Sequence, residues 1–124
     1  MLEVGARGVV ELRVTAADTA LAMRSGTVEV LATPRVVALV EEASVLALDG
    51  QLAEGETTVG TRVQLDHLAP SAVGATVVAE AHLDKVEGRR LTFTVSVNDA
   101  RGLVAVGKVA RVIVDRQRFL ERSG

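Results

Sequence analysis

The stretch TPRVVALVEEASVLALDG, which runs from Thr33 to Gly50, decides the fold of this chain. Thr33 stands where the N-cap of a helix belongs, and Pro34 fits the first helical position. Asp49 and Gly50 are typical of a helix C-terminus. Apolar residues cover most of the helix circumference between these ends, namely Val36, Val37, Leu39, Val40, Ala43, Leu46 and Ala47. A helix with this pattern is buried, so the remaining chain must wrap around it.

Strand patterns flank the helix on both sides. Residues 8–15 alternate apolar with charged side chains, as a half-buried strand does, whereas residues 16–28 show no regular pattern. Four further strand-like segments follow the helix, at residues 57–68, 76–86, 90–98 and 104–114. Turn-forming residues separate them, and Glu87-Gly88 and the stretch 98–102 favour tight hairpins.

This order of elements predicts an α+β fold. A strand precedes one long buried helix, and an antiparallel meander of four strands follows it. We therefore expect a hotdog fold, in which a curved antiparallel sheet of about five strands wraps around one helix. Consecutive strands joined by hairpins cannot form the parallel sheet of a doubly wound fold.

Composition limits what the chain can do. Its 124 residues suit one domain, and we expect a single domain over residues 1–124 with a frayed, charged tail at 116–124. A net charge of −2 and only two aromatic residues do not fit a nucleic-acid-binding protein. There is no cysteine, which excludes disulfides and thiolate nucleophiles, and two histidines are too few for a histidine-rich metal centre.

The sequence also argues against a membrane or secreted protein. The first residues lack the basic and apolar regions of a signal peptide. No run approaches the roughly 20 apolar residues that a membrane span needs. We expect a cytoplasmic protein that binds neither membranes nor nucleic acids.

Three polar residues interrupt otherwise apolar positions and are candidates for catalysis. Thr33 starts the helix, Glu41 lies at its middle, and His67 ends the next strand. At about 100° per residue, Glu41 lies within roughly 80° of Thr33 around the helix, whereas Glu42 lies on the opposite side. A carboxylate could attack a thioester or act as base, an imidazole could activate water, and a hydroxyl could orient either. Gly60 would let a carbonyl approach closely.

Each of these residues also has a purely structural interpretation. Thr33 could serve only as the N-cap, and Glu41 could be a solvated or ion-paired helix residue. His67 could be an ordinary residue at a strand end, and Gly60 could mark a β-bulge. His82 has no recognisable partner and is predicted to lie on the surface.

Two segments, Val30–Ser44 and Val59–Gly74, resemble the fluoroacetyl-CoA thioesterase-like family of hotdog-fold acyl-CoA thioesterases. The family pattern is a Thr, a Glu eight residues later, a Gly in the next long strand, and a His seven residues after that Gly. These residue types and spacings fall here on Thr33, Glu41, Gly60 and His67.

The resemblance implies an acyl-CoA thioesterase that hydrolyses a short or modified acyl-CoA to the free acid and coenzyme A. It implies that Glu41 is nucleophile or base and that His67 handles water. Thr33 would orient these groups, and Gly60 would line the acyl or oxyanion pocket. The family's site lies at a subunit interface, so the resemblance implies a homodimer, which could pair further into a tetramer. Coenzyme A enters as part of the substrate, and no separate cofactor or metal is implied.

The chain departs from the family pattern just before the helix. The fluoroacetyl-specific member has gating aromatic residues there, whereas Met23–Val28 contains none, so we expect a different acyl group. Basic residues elsewhere could meet the phosphates of coenzyme A, or could be ordinary solvated charges. They are Arg62, Arg89, Arg90 and Lys108.

Two other functions remain open on sequence grounds. A non-catalytic hotdog dimer would bind acyl-CoA without turnover. A hydratase or dehydratase would place an acid and a histidine in one local motif, which this sequence lacks. Asp66 and His67 are adjacent, so along a strand they would point to opposite faces.

Overall fold

The computed structural model describes residues 2–124, and within that range it contains five strands and three α-helices. The strands are β1 (Arg7–Arg13), β2 (Glu56–His67), β3 (Thr76–Glu87), β4 (Arg90–Asp99) and β5 (Gly102–Asp115). The helices are α1 (Ala20–Met23), α2 (Thr33–Ala47) and α3 (Arg116–Arg122), and a 3-10 turn at Ala16–Asp18 precedes α1. None of the helices in residues 2–124 is long and apolar enough to cross a membrane.

The five strands form one antiparallel sheet in the order β1-β3-β4-β5-β2. The predicted α+β architecture is confirmed, but the predicted four-strand meander is wrong, because β2 pairs with β5 and not with β3. The connection from β2 to β3 crosses to the far side of the sheet and contacts the segment that leads into α2. The Leu31 amide donates to the Ser71 carbonyl at 2.8 Å, and Val30 pairs with Ala72. β2 is therefore an edge strand.

α2 packs against one face of the sheet and forms the core with it. Alternate residues of β4 point toward the helix and are fully buried, namely Leu91, Phe93, Val95 and Val97. The helix also lies directly on β1, because Gly8 leaves room for it. A Cβ at residue 8 would overlap the Ala43 carbonyl of α2. The position of α2 over the sheet is thus fixed by close contact.

α2 differs from its prediction in two respects. Ala32 is the N-cap, so Thr33 is the first helical residue and Pro34 the second, and the prediction of Thr33 as N-cap is wrong. Leu46, which was expected in the core, is 46% exposed. The reason is that α2 buries only the stripe that faces the sheet.

Short helices occur in two segments for which the sequence predicted no helix. The irregular stretch 16–28 holds α1, and the Thr19 hydroxyl caps it by accepting from the Ala22 amide at 3.2 Å. The tail at 116–124, expected to fray, forms α3 over most of its length. Asp115 caps α3, because its Oδ1 accepts from the Arg118 amide at 3.0 Å.

Replacing Gly8 with alanine should destabilise the fold by about 1–3 kcal/mol, the usual effect of overpacking a tight core. The added methyl group would collide with the Ala43 carbonyl and the Ala47 amide, so α2 would have to move away from β1. Urea unfolding measures the change. Val9→Ala is the matched control, because Val9 is 40% exposed. Equal stability of Gly8→Ala and the unaltered protein would contradict this packing.

Candidate active site

Thr33 and His67 form a hydrogen-bonded pair where α2 begins and β2 ends. The distance between Thr33 Oγ1 and His67 Nδ1 is 2.8 Å. Because Ala32 is the N-cap of α2, the Thr33 hydroxyl is not engaged in capping and can make this bond. When the hydroxyl donates, Nδ1 accepts and the ring proton lies on Nε2. The pair therefore places a hydroxyl, which can serve as a nucleophile, against an imidazole nitrogen that can accept its proton.

Burial controls the charge of His67. Desolvation lowers the pKa of the imidazole below its ordinary value of 6.5, and the backbone of Ala69 opposes this shift. Nε2 is buried and has no hydrogen-bond partner among residues 2–124. The neutral ring, which is the form that accepts a proton, therefore predominates at neutral pH.

A cavity of about 330 Å³ opens beside this pair, and small or apolar residues form most of its lining. Besides Thr33 and His67, the lining residues are Ala20, Ser25, Gly26, Val28, Val30, Leu31, Leu68, Ala69 and Pro70. None of them is aromatic, in keeping with the sequence at Met23–Val28. The hydroxyl and imidazole therefore face a small, mainly apolar space.

A second polar cluster surrounds Glu41, in the middle of α2. Glu41 Oε2 accepts a hydrogen bond from Arg111 Nη1 at 3.0 Å. Arg111 is also held from β2, because its Nε donates to Thr58 Oγ1 at 2.9 Å and its Nη2 to the Thr58 carbonyl at 3.0 Å. The Arg111 side chain is 8% exposed and that of Glu41 34%. The buried arginine thus holds in place a carboxylate that is partly exposed to water.

Gly60 makes room for this carboxylate. A Cβ at residue 60 would overlap Glu41 Oε2 and would lie 3.3 Å from Arg111 Nη1. The register between β2 and β5 also shifts between Gly60 and Arg62. Gly60 therefore lies at a β-bulge, which was its structural interpretation, and the space beside its Cα is occupied by the Glu41 carboxylate.

One chain does not bring the four candidate residues together. Thr33 contacts His67, and Glu41 lies against Gly60, so Glu41 is not the partner of Thr33 that helix geometry suggested. Eight helical residues separate Thr33 from Glu41, which is about 12 Å along the axis. Seven strand residues separate Gly60 from His67, which is about 23 Å. The chain therefore carries two separate clusters, the Thr33–His67 pair and the Glu41–Arg111 pair.

The basic candidates also fall into two groups. Arg62, Arg90 and Lys108 line a cavity of about 400 Å³, which we call the outer cavity. It lies on the sheet face away from α2, because Arg90 and Lys108 alternate with buried residues along β4 and β5. Arg89 lies elsewhere, beside α3, where its Nη1 is 3.4 Å from Glu56 Oε2.

The sequence interpretation missed Arg111 and its support Thr58. A signal was present, because Arg111 falls between Val109 and Ile113 on the buried face of an alternating strand. A charged residue at such a position is almost always paired and deserves scrutiny as a candidate for function. His82, by contrast, lies on the surface as predicted, with a side chain that is 46% exposed.

Fold and site together define a hotdog-fold protein of the kind that places a polar site between its long helix and its sheet. The family model described as fluoroacetyl-CoA-specific thioesterase matches residues 14–117. The chain therefore belongs to the fluoroacetyl-CoA-specific thioesterase family, and the predicted family is confirmed.

Individual relatives agree with this membership. The fluoroacetyl-CoA thioesterase of Streptantibioticus cattleyicolor is 37% identical over 91 residues, 73% of this chain and 66% of that protein. The match thus spans slightly less than two thirds of that relative. The structure of the fluoroacetyl-CoA thioesterase FlK superposes with a TM-score of 0.93 and 30% identity, covering 99% of this chain and 96% of the other. A hot-dog-like protein from Thermanaerovibrio acidaminovorans gives a TM-score of 0.86 and 30% identity, covering 99% and 94%. These matches confirm the hotdog fold.

The imidazole of His67 should titrate with a midpoint below 6.5, because burial disfavours its charged form. The measurement is an NMR titration of the ring carbon protons in a His82→Asn variant, which leaves one histidine to observe. Thr33→Val provides the comparison that removes the hydrogen bond to Nδ1. A midpoint at or above 6.5 in the His82→Asn protein would contradict the burial of this ring.

Proposed function

We propose that this protein is an acyl-CoA thioesterase that hydrolyses a short or modified acyl-CoA to the free acid and coenzyme A. The observation that carries the proposal is the 2.8 Å bond between Thr33 Oγ1 and His67 Nδ1, beside a cavity, in a member of this family. A hydroxyl next to a neutral imidazole is the arrangement that acyl transfer requires.

In the proposed reaction, Thr33 is the nucleophile and His67 the base. His67 Nδ1 takes the hydroxyl proton as Thr33 Oγ1 bonds to the thioester carbonyl carbon. The carbon–sulfur bond then breaks, and the thiolate of coenzyme A takes the proton from the imidazolium. Water, deprotonated by the same imidazole, attacks the acyl-Thr33 ester and releases the acid, and the proton returns to Thr33 Oγ1.

Glu41 has a different role in this proposal from the one that the resemblance suggested. Arg111 holds Oε2 of the carboxylate, which leaves Oε1 available to orient a water molecule. The carboxylate is therefore better suited to place water than to attack the thioester itself. Gly60 remains part of this half of the site, because only glycine leaves space for the carboxylate.

A homodimer would unite the two clusters. β2 is an edge strand with unpaired backbone groups along one side, which is a template for pairing with another strand. Antiparallel pairing of two β2 strands about a two-fold axis midway between Gly60 and His67 would set each Gly60 opposite the other copy's His67. Each Glu41 would then approach the Thr33–His67 pair of the second copy, and one dimer would hold two complete sites.

The small cavity supports a short acyl group. Its volume is about 330 Å³, which suits a small group. Its lining contains no aromatic residue that could form the gate expected for fluoroacetyl selectivity. The substrate also carries coenzyme A, whose phosphates need cationic partners. The basic candidates offer two alternatives, Arg89 beside α3 and Arg90 with Lys108 in the outer cavity. We place the reaction in the cytoplasm, because coenzyme A thioesters are intracellular metabolites.

Thr33→Val should lower kcat for a susceptible acyl-CoA by about a hundredfold or more, because it removes the attacking oxygen and keeps the side-chain shape. His67→Ala should have a similar effect. Free-thiol release over a panel of acyl-CoAs measures the rates, and Thr33→Ser is the matched control that should retain activity. A substantial rate in Thr33→Val would sink the nucleophile assignment. If Glu41→Gln were then the inactive variant, the carboxylate would be the nucleophile or base.

Subunit mixing tests the shared site. Thr33→Val and Glu41→Gln homodimers should each be nearly inactive, yet mixing after mild dissociation should restore about a quarter of full activity. The reason is that a two-fold heterodimer carries one site with both defects and one intact site. Without recovery in verified heterodimers, Thr33 and Glu41 would have to act from the same chain.

A further inference from the structure

A cavity beside α3 combines three arginines with the only aromatic residue outside the core. Its volume is about 300 Å³, and Arg89, Arg118, Arg122 and Phe119 line it together with the end of β5. Phe93, the other aromatic residue, is fully buried in the core. We call this space the α3 cavity.

We propose that the α3 cavity binds the adenine nucleotide of coenzyme A, with Phe119 against the adenine ring and the arginines on the phosphates. The proposal rests on the proposed function and locates one half of its substrate. Arginine guanidinium groups match phosphate oxygens in geometry and charge, and a half-exposed phenyl ring offers a face for stacking a base. Neither the family match nor the resemblance in sequence points to α3.

The charges of the α3 cavity are available to a ligand. Arg118 and Arg122 are four residues apart on one side of α3, and neither forms an ion pair within residues 2–124. Arg89 makes two long contacts, because its Nη1 lies 3.4 Å from both Glu56 Oε2 and the Ile113 carbonyl. Asp115 is the one carboxylate in the lining, and it is engaged as the N-cap of α3. An excess of cations in a chain of net charge −2 favours an anionic ligand here.

The α3 cavity lies close to the Glu41–Arg111 pair along β5. Ile113 lines the cavity and pairs with Thr58 across β5 and β2. Thr58 holds Arg111, which in turn holds Glu41. Neighbouring residues on one face of a strand are about 7 Å apart, so Ile113 is one such step from Arg111. The α3 cavity and the Glu41 half of the proposed site are therefore close enough for one extended ligand to reach both.

The outer cavity is a weaker candidate for the same nucleotide. It contains no aromatic residue, and it includes Glu87 beside Arg62 and Arg90. Lys108 already lies 3.9 Å from Asp84. The outer cavity is also separated from α2 by the sheet, so a bound substrate would have to pass around the β2 edge. That edge is the one proposed to pair with a second copy.

The test compares an acyl-CoA with the matching acyl-pantetheine thioester, which lacks the nucleotide. Arg118→Ala/Arg122→Ala should raise KM for the acyl-CoA by about tenfold or more and leave kcat unchanged, because charge-assisted contacts to phosphate are lost. The KM for acyl-pantetheine should stay the same. Arg116→Ala is the matched control, since it removes a charge from the same helix but lines a different space. A second variant, Arg90→Ala/Lys108→Ala, probes the outer cavity.

The outcomes separate this proposal from the proposed function. An unchanged KM in Arg118→Ala/Arg122→Ala, or a raised KM in Arg90→Ala/Lys108→Ala instead, would overturn the α3 site while hydrolysis itself persisted. If the unaltered protein hydrolysed neither thioester, calorimetric titration with adenosine 3′,5′-bisphosphate would still decide the site. We expect saturable binding that is lost in Arg118→Ala/Arg122→Ala and weakened in Phe119→Leu. The α3 site would be refuted if the unaltered protein did not bind the bisphosphate. It would also be refuted if Arg118→Ala/Arg122→Ala bound it equally well.

Discussion

The burial of α2 against the sheet sets every distance in the candidate site. Gly8 allows the helix backbone to touch β1, and the alternating core of β4 holds the opposite side. With the helix fixed in this way, its first residue lies at the end of β2 and its middle lies over Gly60. Protein interiors are packed too tightly for such a helix to slide. Thr33 and Glu41 therefore have positions that loops could not define as sharply.

The same packing explains why the site divides into two clusters. A helix advances about 1.5 Å per residue and a strand about 3.3 Å. A similar number of residues therefore spans about twice the distance along β2 as along α2. Contact between Thr33 and His67 at one end then excludes contact between Glu41 and His67 in the same chain. A two-fold pairing of β2 edges reverses the direction of one strand and compensates for this divergence. The geometry of helix and strand therefore supports the proposed dimer, as the open edge of β2 does.

The sequence predicted the elements better than their connections and their polar contacts. Alternation along β4 and the apolar pattern of α2 located the core, because the period of apolar residues indicates which face of an element is buried. The place of β2 beside β5 could not be predicted from these patterns, since it is set by pairing between strands that are distant in sequence. Thr33 was assigned to the cap because local propensity favours it there, yet its hydroxyl bonds to a residue 34 positions away. The role of Arg111 could not be predicted from β5 alone, because its partners Thr58 and Glu41 lie on β2 and α2.

The electrostatics of the two clusters suit a shared site. Desolvation keeps His67 neutral, and a bare carboxylate brought close to it would favour the charged ring and remove the base. Arg111 prevents this, because its guanidinium is bound to the Glu41 carboxylate and compensates its charge. Thr58 fixes the arginine from two sides, so the ion pair can approach the imidazole as a nearly neutral unit. In the proposed dimer, this buried arginine would allow a carboxylate and a neutral base to work in the same site.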